Sequence, residues 1–266
     1  VIPRADIVAW RQMAPWVADA QVEQDLIISR VLVTLYKDQY LADRLAFRGG
    51  TALHKLYFRP PRRYSEDIDL VQVVPEPIGI IFDTVQKVIN PFLGAPRRKQ
   101  AADAVTLTYR IESEGPPVIP LRVKIEINTR EHFAVSGLQK RPFEVRSRWF
   151  NGTCNITTFP LEELLATKLR ALYQRRKGRD LFDLWLGMTE GQADTQEIVR
   201  IFTRYMEHEG NLIDGRSLKA NVLDKLKHPG FINDLRPLLP ASVDYNPENA
   251  GSLILQEIIT RMHSGG

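Results

Sequence analysis

Two aspartates, Asp67 and Asp69, stand two positions apart at the end of the stretch RGGTALHKLYFRPPRRYSEDIDL, which runs from Arg48 to Leu70. On a strand, both carboxylates project from one face while Ile68 and Leu70 project from the other. Two neighbouring carboxylates repel unless a cation sits between them, and hard oxygen ligands suit Mg2+. The same stretch opens on Gly49, Gly50 and Thr51. Glycine lacks Cβ, so the backbone there can turn tightly and come close to a ligand. The free N–H groups of a helix starting near Thr51 would then point at an anion such as a phosphate. A phosphate cradle beside a divalent-metal site is what phosphoryl or nucleotidyl transfer requires. Each half has a plainer reading of its own: an ordinary Gly-Gly turn, and an acidic pair on a solvated edge strand. The two together, with one short helix between them, are far more specific.

The elements that position these residues follow from periodicity. Leu45–Arg48 reads as a strand end, followed by the Gly-Gly-Thr turn, a short amphipathic helix, an Arg/Pro loop, and a strand from Asp67 that can extend to Val74 before Pro75 and Pro77 stop it. Residues 5–43 read as helices, with Pro15 near a start or a kink and Val22, Leu26, Ile28, Val31, Leu32 and Leu35 on one apolar face. Ile78–Leu93 is a further helix, and Ala95–Asp103 is basic and loop-like. Alternation predicts strands through Val105, Leu107, Tyr109 and Ile111 and, after a Gly115-Pro116-Pro117 turn, through Leu121, Val123, Ile125 and Ile127. The opposite face of the second carries Arg122, Lys124, Glu126 and Asn128. Phe143–Trp149 and Ile156–Phe159 add two short strands. From Pro160 the pattern is helical, with Glu162 and Glu163 favourable to the first helix dipole. Further helices are expected near Leu181–Met188, Thr195–His208, Ser217–Leu226 and Ser252–Met262. The simplest parse is an α+β chain, a mixed-sheet portion over residues 1–159 and a helical portion over 160–266. Substrate is expected in the cleft between the two.

The chain has 266 residues with 44% hydrophobic and 26% charged, ordinary values for a soluble globular protein. Its net charge of +4 is a mild basic bias, and the placement says more than the total. Arg59, Arg62 and Arg63 flank the acidic strand; Arg97, Arg98 and Lys99 form a second cluster; Arg175, Arg176, Lys177 and Arg179 form a third. Solvated loops account for any one of them, whereas three beside a phosphate site point to an RNA or nucleotide partner. The single cysteine, Cys154, excludes an internal disulfide and suits a reducing cytoplasm. No apolar run approaches the ~20 residues of a membrane span, so a cytoplasmic protein is expected. Val1 in place of Met suggests that the numbering starts inside a longer sequence.

The pattern of a Gly-Gly-Thr turn, a short helix and Asp-x-Asp resembles the nucleotidyltransferase superfamily. More narrowly, GGTALHKLY…RYSEDIDL followed by LLATKLRALYQRRKGRDLFDLW looks like the AbiEii/MenT group, toxins of type IV-like toxin–antitoxin and phage-defence pairs. The likeness is strongest over residues 47–73 and 161–186. It implies a nucleotidyltransferase-like mixed sheet, catalytic Asp67, Asp69, Lys168 and Asp183 (with Asp180 as the alternative acid), and a triphosphate held by Gly49, Gly50, Thr51, Arg63 and Lys168. It also implies metal at Asp67 and Asp69, with Glu126 as the third carboxylate on a neighbouring strand; a solvated Lys124–Glu126 face is the other reading of that residue. Lys168 could equally be a surface lysine lying along an apolar face, and Asp180 could simply pair with Arg176 or Arg179. The activity implied is Mg2+-dependent transfer from an NTP to the 3′ end of tRNA, with a cognate antitoxin as partner and phosphorylation at Ser65 as the silencing step. A loop serine closing a turn is the plainer role for Ser65. A superfamily enzyme acting on a small molecule or protein hydroxyl, and a non-catalytic nucleotide- or RNA-binding module, stay open as alternatives.

Overall fold

The computed structural model describes residues 2–115 and 117–263; Val1 and Pro116 of the expected turn lie outside them. The chain forms two compact units, one of residues 1–133 and 138–159, the other of 134–137 and 160–266.

In the first unit α1 (Arg4–Trp10), α2 (Asp19–Lys37) and α3 (Gln39–Ala42) precede β1 (Leu45–Arg48), and α4 (Gly49–Leu56) follows β1 without a break. Then come β2 (Asp67–Gln72), α5 (Ile78–Leu93), β3 (Arg97–Gln100), β4 (Ala104–Glu112), β5 (Pro120–Asn128), β6 (Gln139–Arg146) and β7 (Asn151–Thr158). The strands make one seven-stranded sheet in the order β3-β4-β5-β2-β1-β7-β6. It is mixed, because β2 runs parallel to β5 and β1 parallel to β7 while the other pairs are antiparallel. Period-two alternation gives the sheet one apolar face, where Ile68, Leu70, Leu107, Tyr109, Val123, Ile125 and Ile127 are almost wholly buried. α2 packs against β5, β6 and β7, and α5 against β4. The Tyr109 hydroxyl, carried to the middle of that face, meets the Asn90 side chain of α5 at 3.1 Å.

Two expectations change. The Gly-Gly-Thr segment is no separate turn, since the helix begins at Gly49 itself. The basic segment after α5 is no loop: Arg97–Gln100 is an edge strand paired antiparallel with β4. Four consecutive polar residues carry no apolar alternation, so only the hairpin partner reveals the strand. Its side chains are all exposed, and charge on an edge discourages further pairing.

In the second unit α6 (Leu161–Gln174) packs against α7 (Gly178–Thr189) and α8 (Thr195–His208). α9 (Gly215–Leu226), α10 (Pro229–Ile232), a 3-10 turn at Asn233–Leu238 and α11 (Pro247–His263) complete it, with α11 against α7, α8 and α9. Glu163 does more than favour a helix dipole. Fully buried, it accepts from the Val135 and Ser136 N–H groups at 2.7 and 2.9 Å and from the Tyr205 hydroxyl at 2.9 Å. Three donors on one carboxylate hold the short piece 134–137 within this unit.

Candidate active site

Strand register sets the chemistry of the open sheet face. Asp67 and Asp69 are half-buried on β2, alternating with buried Ile68 and Leu70, so both carboxylates share one face. Across the parallel β2–β5 pair, Asp67 stands beside Lys124 and Asp69 beside Glu126. Across β1–β2, Asp69 stands beside Arg48, whose guanidinium is ion-paired with Glu131 in the segment after β5. The Lys124 ammonium lies 2.8 Å from Glu126. Burial pulls the Lys124 ammonium down, but the Glu126 hydrogen bond and the charges of Asp67, Glu126 and Asp69 outweigh it and hold the group above its ordinary range. Sequence reading set Lys124 beside Glu126 but missed its tie to the aspartates, because the parallel pairing of β2 with β5 is not written in either segment.

The Gly-Gly end of α4 is built around side chains that need the absence of Cβ. Gly49 has φ +81°, and a Cβ there would stand 2.2 Å from Asp69 Oδ2. A Cβ on Gly50 would stand 2.2 Å from Arg63 Nη2 and 3.0 Å from Ser65 Oγ. The helix start thus touches the second carboxylate on one side and a buried guanidinium on the other. No side chain caps α4, which leaves its first N–H groups for another acceptor. Thr51 is buried, its hydroxyl 2.5 Å from the Asp67 carbonyl and 2.9 Å from Ser65 Oγ. With a single proton, that hydroxyl donates to the Asp67 carbonyl and accepts from Ser65. Its side chain therefore locks the helix to the strand, and what it offers a phosphate is its backbone N–H. The Arg/Pro loop is pinned where the Arg62 N–H donates to His54 Nδ1 at 3.3 Å.

Gly49→Ala is expected to cost roughly 1–2 kcal/mol, since an L-residue at positive φ is strained. It should also push the Asp69 carboxylate from its position. Gly50→Ala lacks that positive-φ strain and meets side-chain atoms of Arg63 and Ser65, so it should cost less stability. Urea unfolding of both variants checks the order, and equal stabilities would remove the argument.

In the second unit Lys168, Asp180 and Asp183 form a buried cluster. Asp180 and Asp183 are fully buried, and the Lys168 ammonium lies 2.9 Å from Asp183 Oδ2 and 3.3 Å from Asp180 Oδ1. Arg175 closes the group with two hydrogen bonds to Asp180, 2.8 and 2.9 Å long. Burial alone would raise the Asp180 carboxyl, but Lys168 and Arg175 outweigh it and hold it below the usual carboxylate range. Lys168 is thus no snorkelling surface residue, and Asp180 pairs with Lys168 and Arg175 rather than with Arg176 or Arg179. Arg176 and Lys177 instead meet Asp224 and Asp234 at 3.4 and 3.7 Å. Most of the third basic cluster is therefore engaged within its own unit.

The donor chemistry fits a divalent cation. Asp67 and Asp69 present hard oxygens on one face, Glu126 is in register with Asp69, and Asp69 Oδ2 fills the space a Cβ on Gly49 would take. Among the described residues no three acidic, histidine or cysteine side chains already converge as a metal cage. Glu126 is held instead by the Lys124 ammonium.

A family model described as the AbiEii nucleotidyl transferase toxin of a type IV toxin–antitoxin system matches residues 30–250. Solved structures share the fold, among them the following three. MenT4, a nucleotidyltransferase toxin from Mycobacterium tuberculosis, superposes with a TM-score of 0.61 at 15% identity, over 98% of this chain and 89% of its own. JHP933 from Helicobacter pylori gives a TM-score of 0.56 at 18% identity, over 93% of this chain and 95% of its own. A putative nucleotidyltransferase from the same organism gives 0.54 at 19%, over 93% and 98%. A search of the curated proteins found no match.

Proposed function

The chain belongs to the AbiEii nucleotidyl transferase toxin family, and from that premise we propose that it transfers nucleotides from an NTP to the 3′ end of tRNA with Mg2+, blocking translation. The observation that carries this reading is the contact of Gly49 with Asp69, which joins an uncapped helix N-terminus to an aspartate pair. In this reading Asp67 and Asp69 hold the metal with Glu126 as the adjacent donor. Mg2+ held there would activate the attacking hydroxyl and offset charge on the departing pyrophosphate. The N–H groups of Gly49, Gly50 and Thr51 orient the β- and γ-phosphates, and the Arg63 guanidinium beside Gly50 offsets their charge. The roles that the resemblance implies for Lys168 and Asp183 belong to the same proposal. A cytoplasmic site of action goes with it, and no described helix is long and apolar enough to cross a membrane. The test is to incubate the protein with total tRNA, Mg2+ and each labelled NTP in turn. Label on the tRNA 3′ end is expected. Label reaching only proteins or small molecules would replace the acceptor, and no labelling with any NTP would overturn the enzyme.

We place the silencing of this site at Ser65. Its hydroxyl lies beside Gly50 and Thr51, and Arg63 is next to it. A phosphate there adds roughly −1.5 to −2 charges and three acceptor oxygens. Tethered beside the helix N-terminus, it would pair with Arg63 and compete with the NTP for the same N–H groups. Protein co-expressed with its antitoxin is expected to carry phosphate at Ser65 by mass spectrometry and to show no transfer. Ser65-phosphorylated protein with full activity would end this idea.

A further inference from the structure

Beyond the carboxylates the polar sheet face continues across β5, β4 and β3. In register with Asp67 lie Lys124 on β5, Thr108 on β4 and Arg97 on β3. In register with Asp69 lie Glu126, Thr106 and Lys99. One step along, Arg110 of β4 faces Arg122 of β5 directly across the antiparallel ladder. Arg97, Lys99, Arg110 and Arg122 are all exposed, with the threonines and Lys124 half-buried between them.

The Arg110–Arg122 pair is the informative one. Like charges directly opposite each other on antiparallel strands destabilise the sheet. Among the described residues neither arginine has an ion-pair partner. Protection of a free edge explains the charges of β3. At Arg110 and Arg122, β4 and β5 run past β3 and β2, so a charge on either strand would guard the edge, but edge protection does not call for two like charges set directly opposite each other. What relieves such a pair is an anion lying across both.

We propose that this face binds the ribose–phosphate backbone of the RNA acceptor and leads it to Asp67 and Asp69, an inference that rests on the function proposed above. Strands lie about 4.8 Å apart, so Arg97 stands about 14 Å from Asp67 and Lys124 one strand away. A chain laid along Thr106 and Thr108 has Arg97 and Lys99 on one side and Lys124 on the other, where Lys124 also holds the Glu126 carboxylate beside Thr106. Tyr109, the one aromatic of β4 and β5, points to the opposite, buried face. The surface therefore offers no stacking platform, and it engages phosphates rather than bases. Binding through it is salt-dependent and indifferent to sequence.

The test uses the full chain, a 5′-labelled single-stranded RNA oligonucleotide, unfractionated tRNA, and two double variants, R110Q/R122Q and R97Q/K99Q. Both variants are expected to bind RNA more weakly. The slope of log K against log salt should be shallower by about 1 for each phosphate that is no longer neutralised. NTP affinity measured without RNA should be unchanged, and the melting temperature of R110Q/R122Q should be equal or higher because a like-charge pair is gone. Wild-type RNA binding with an unaltered slope in both variants would overturn this surface while leaving the functional reading intact. Variants that keep RNA binding but lose the co-purified antitoxin would reassign the face to protein docking and equally overturn it. A wild-type chain that neither binds nor labels RNA would overturn the functional reading itself.

Discussion

Asp69→Ala protein folds and loses nucleotide transfer, by roughly 10³-fold or more. A cation that neutralises developing phosphoryl charge supplies several kcal/mol of transition-state stabilisation, and each 1.36 kcal/mol is a factor of ten. Asp69 is the carboxylate packed on Gly49, in register with both Glu126 and Arg48, so its loss removes a proposed metal donor and leaves a gap at the helix start. The fold tolerates the change because the side chain is half-exposed and its removal also relieves repulsion from Asp67 and Glu126; a cost within about 1 kcal/mol is expected. Asp69→Asn, which keeps shape and removes charge, should fall nearly as far, and Asp67→Ala likewise. The measurement is label transfer across an Mg2+ series on protein whose fold is checked by circular dichroism. Near-wild-type, Mg2+-dependent transfer by folded Asp69→Ala would remove the aspartate pair from the chemistry.

Lys168→Ala has its largest effect on stability. Asp180 and Asp183 are fully buried, and the ammonium between them is their shared counter-charge. Removing one partner of a buried ion cluster typically costs about 3–5 kcal/mol, because the uncompensated charge stays behind. Arg175 still holds Asp180 through two hydrogen bonds, so the loss should lie at the lower end. Lys168→Met combined with Asp183→Asn removes both charges of that pair together and should recover much of the stability. If the ammonium also serves the triphosphate, transfer stays lost in that double variant. The Asp180 carboxyl sits below its usual range in the folded chain, so the unfolded chain binds the proton more readily. Its contribution is therefore complete above the ordinary carboxylate range and disappears as pH falls through the lower folded value. Urea unfolding of wild type and variants between pH 7 and the acid limb reads both effects. A Lys168→Ala chain as stable as wild type would show that the cluster does not depend on this lysine.

Much of this was legible because it is local. Apolar period set α5 at Ile78–Leu93 and α8 at Thr195–His208, and period-two alternation put Asp67 and Asp69 on one face of a strand. The short spacing from Gly49 to Asp69 announced a helix and a loop returning to a strand, since no longer element fits between them. The likeness to the family also rested on short, contiguous motifs.

What the chain alone could not disclose depends on pairing between distant segments. Arg97–Gln100 has no apolar alternation, so its strand exists only through the β4 ladder, and the Arg110–Arg122 confrontation exists only in the β4–β5 register. Lys124 gains its acidic neighbours because β5 lies parallel to β2, about 55 residues apart in the chain. The residue types, charges and local periods of Asp67, Asp69, Gly49 and Lys168 were determined by sequence. The tertiary structure decided which charges they face, because cross-strand register and helix packing bring together side chains that no local period relates.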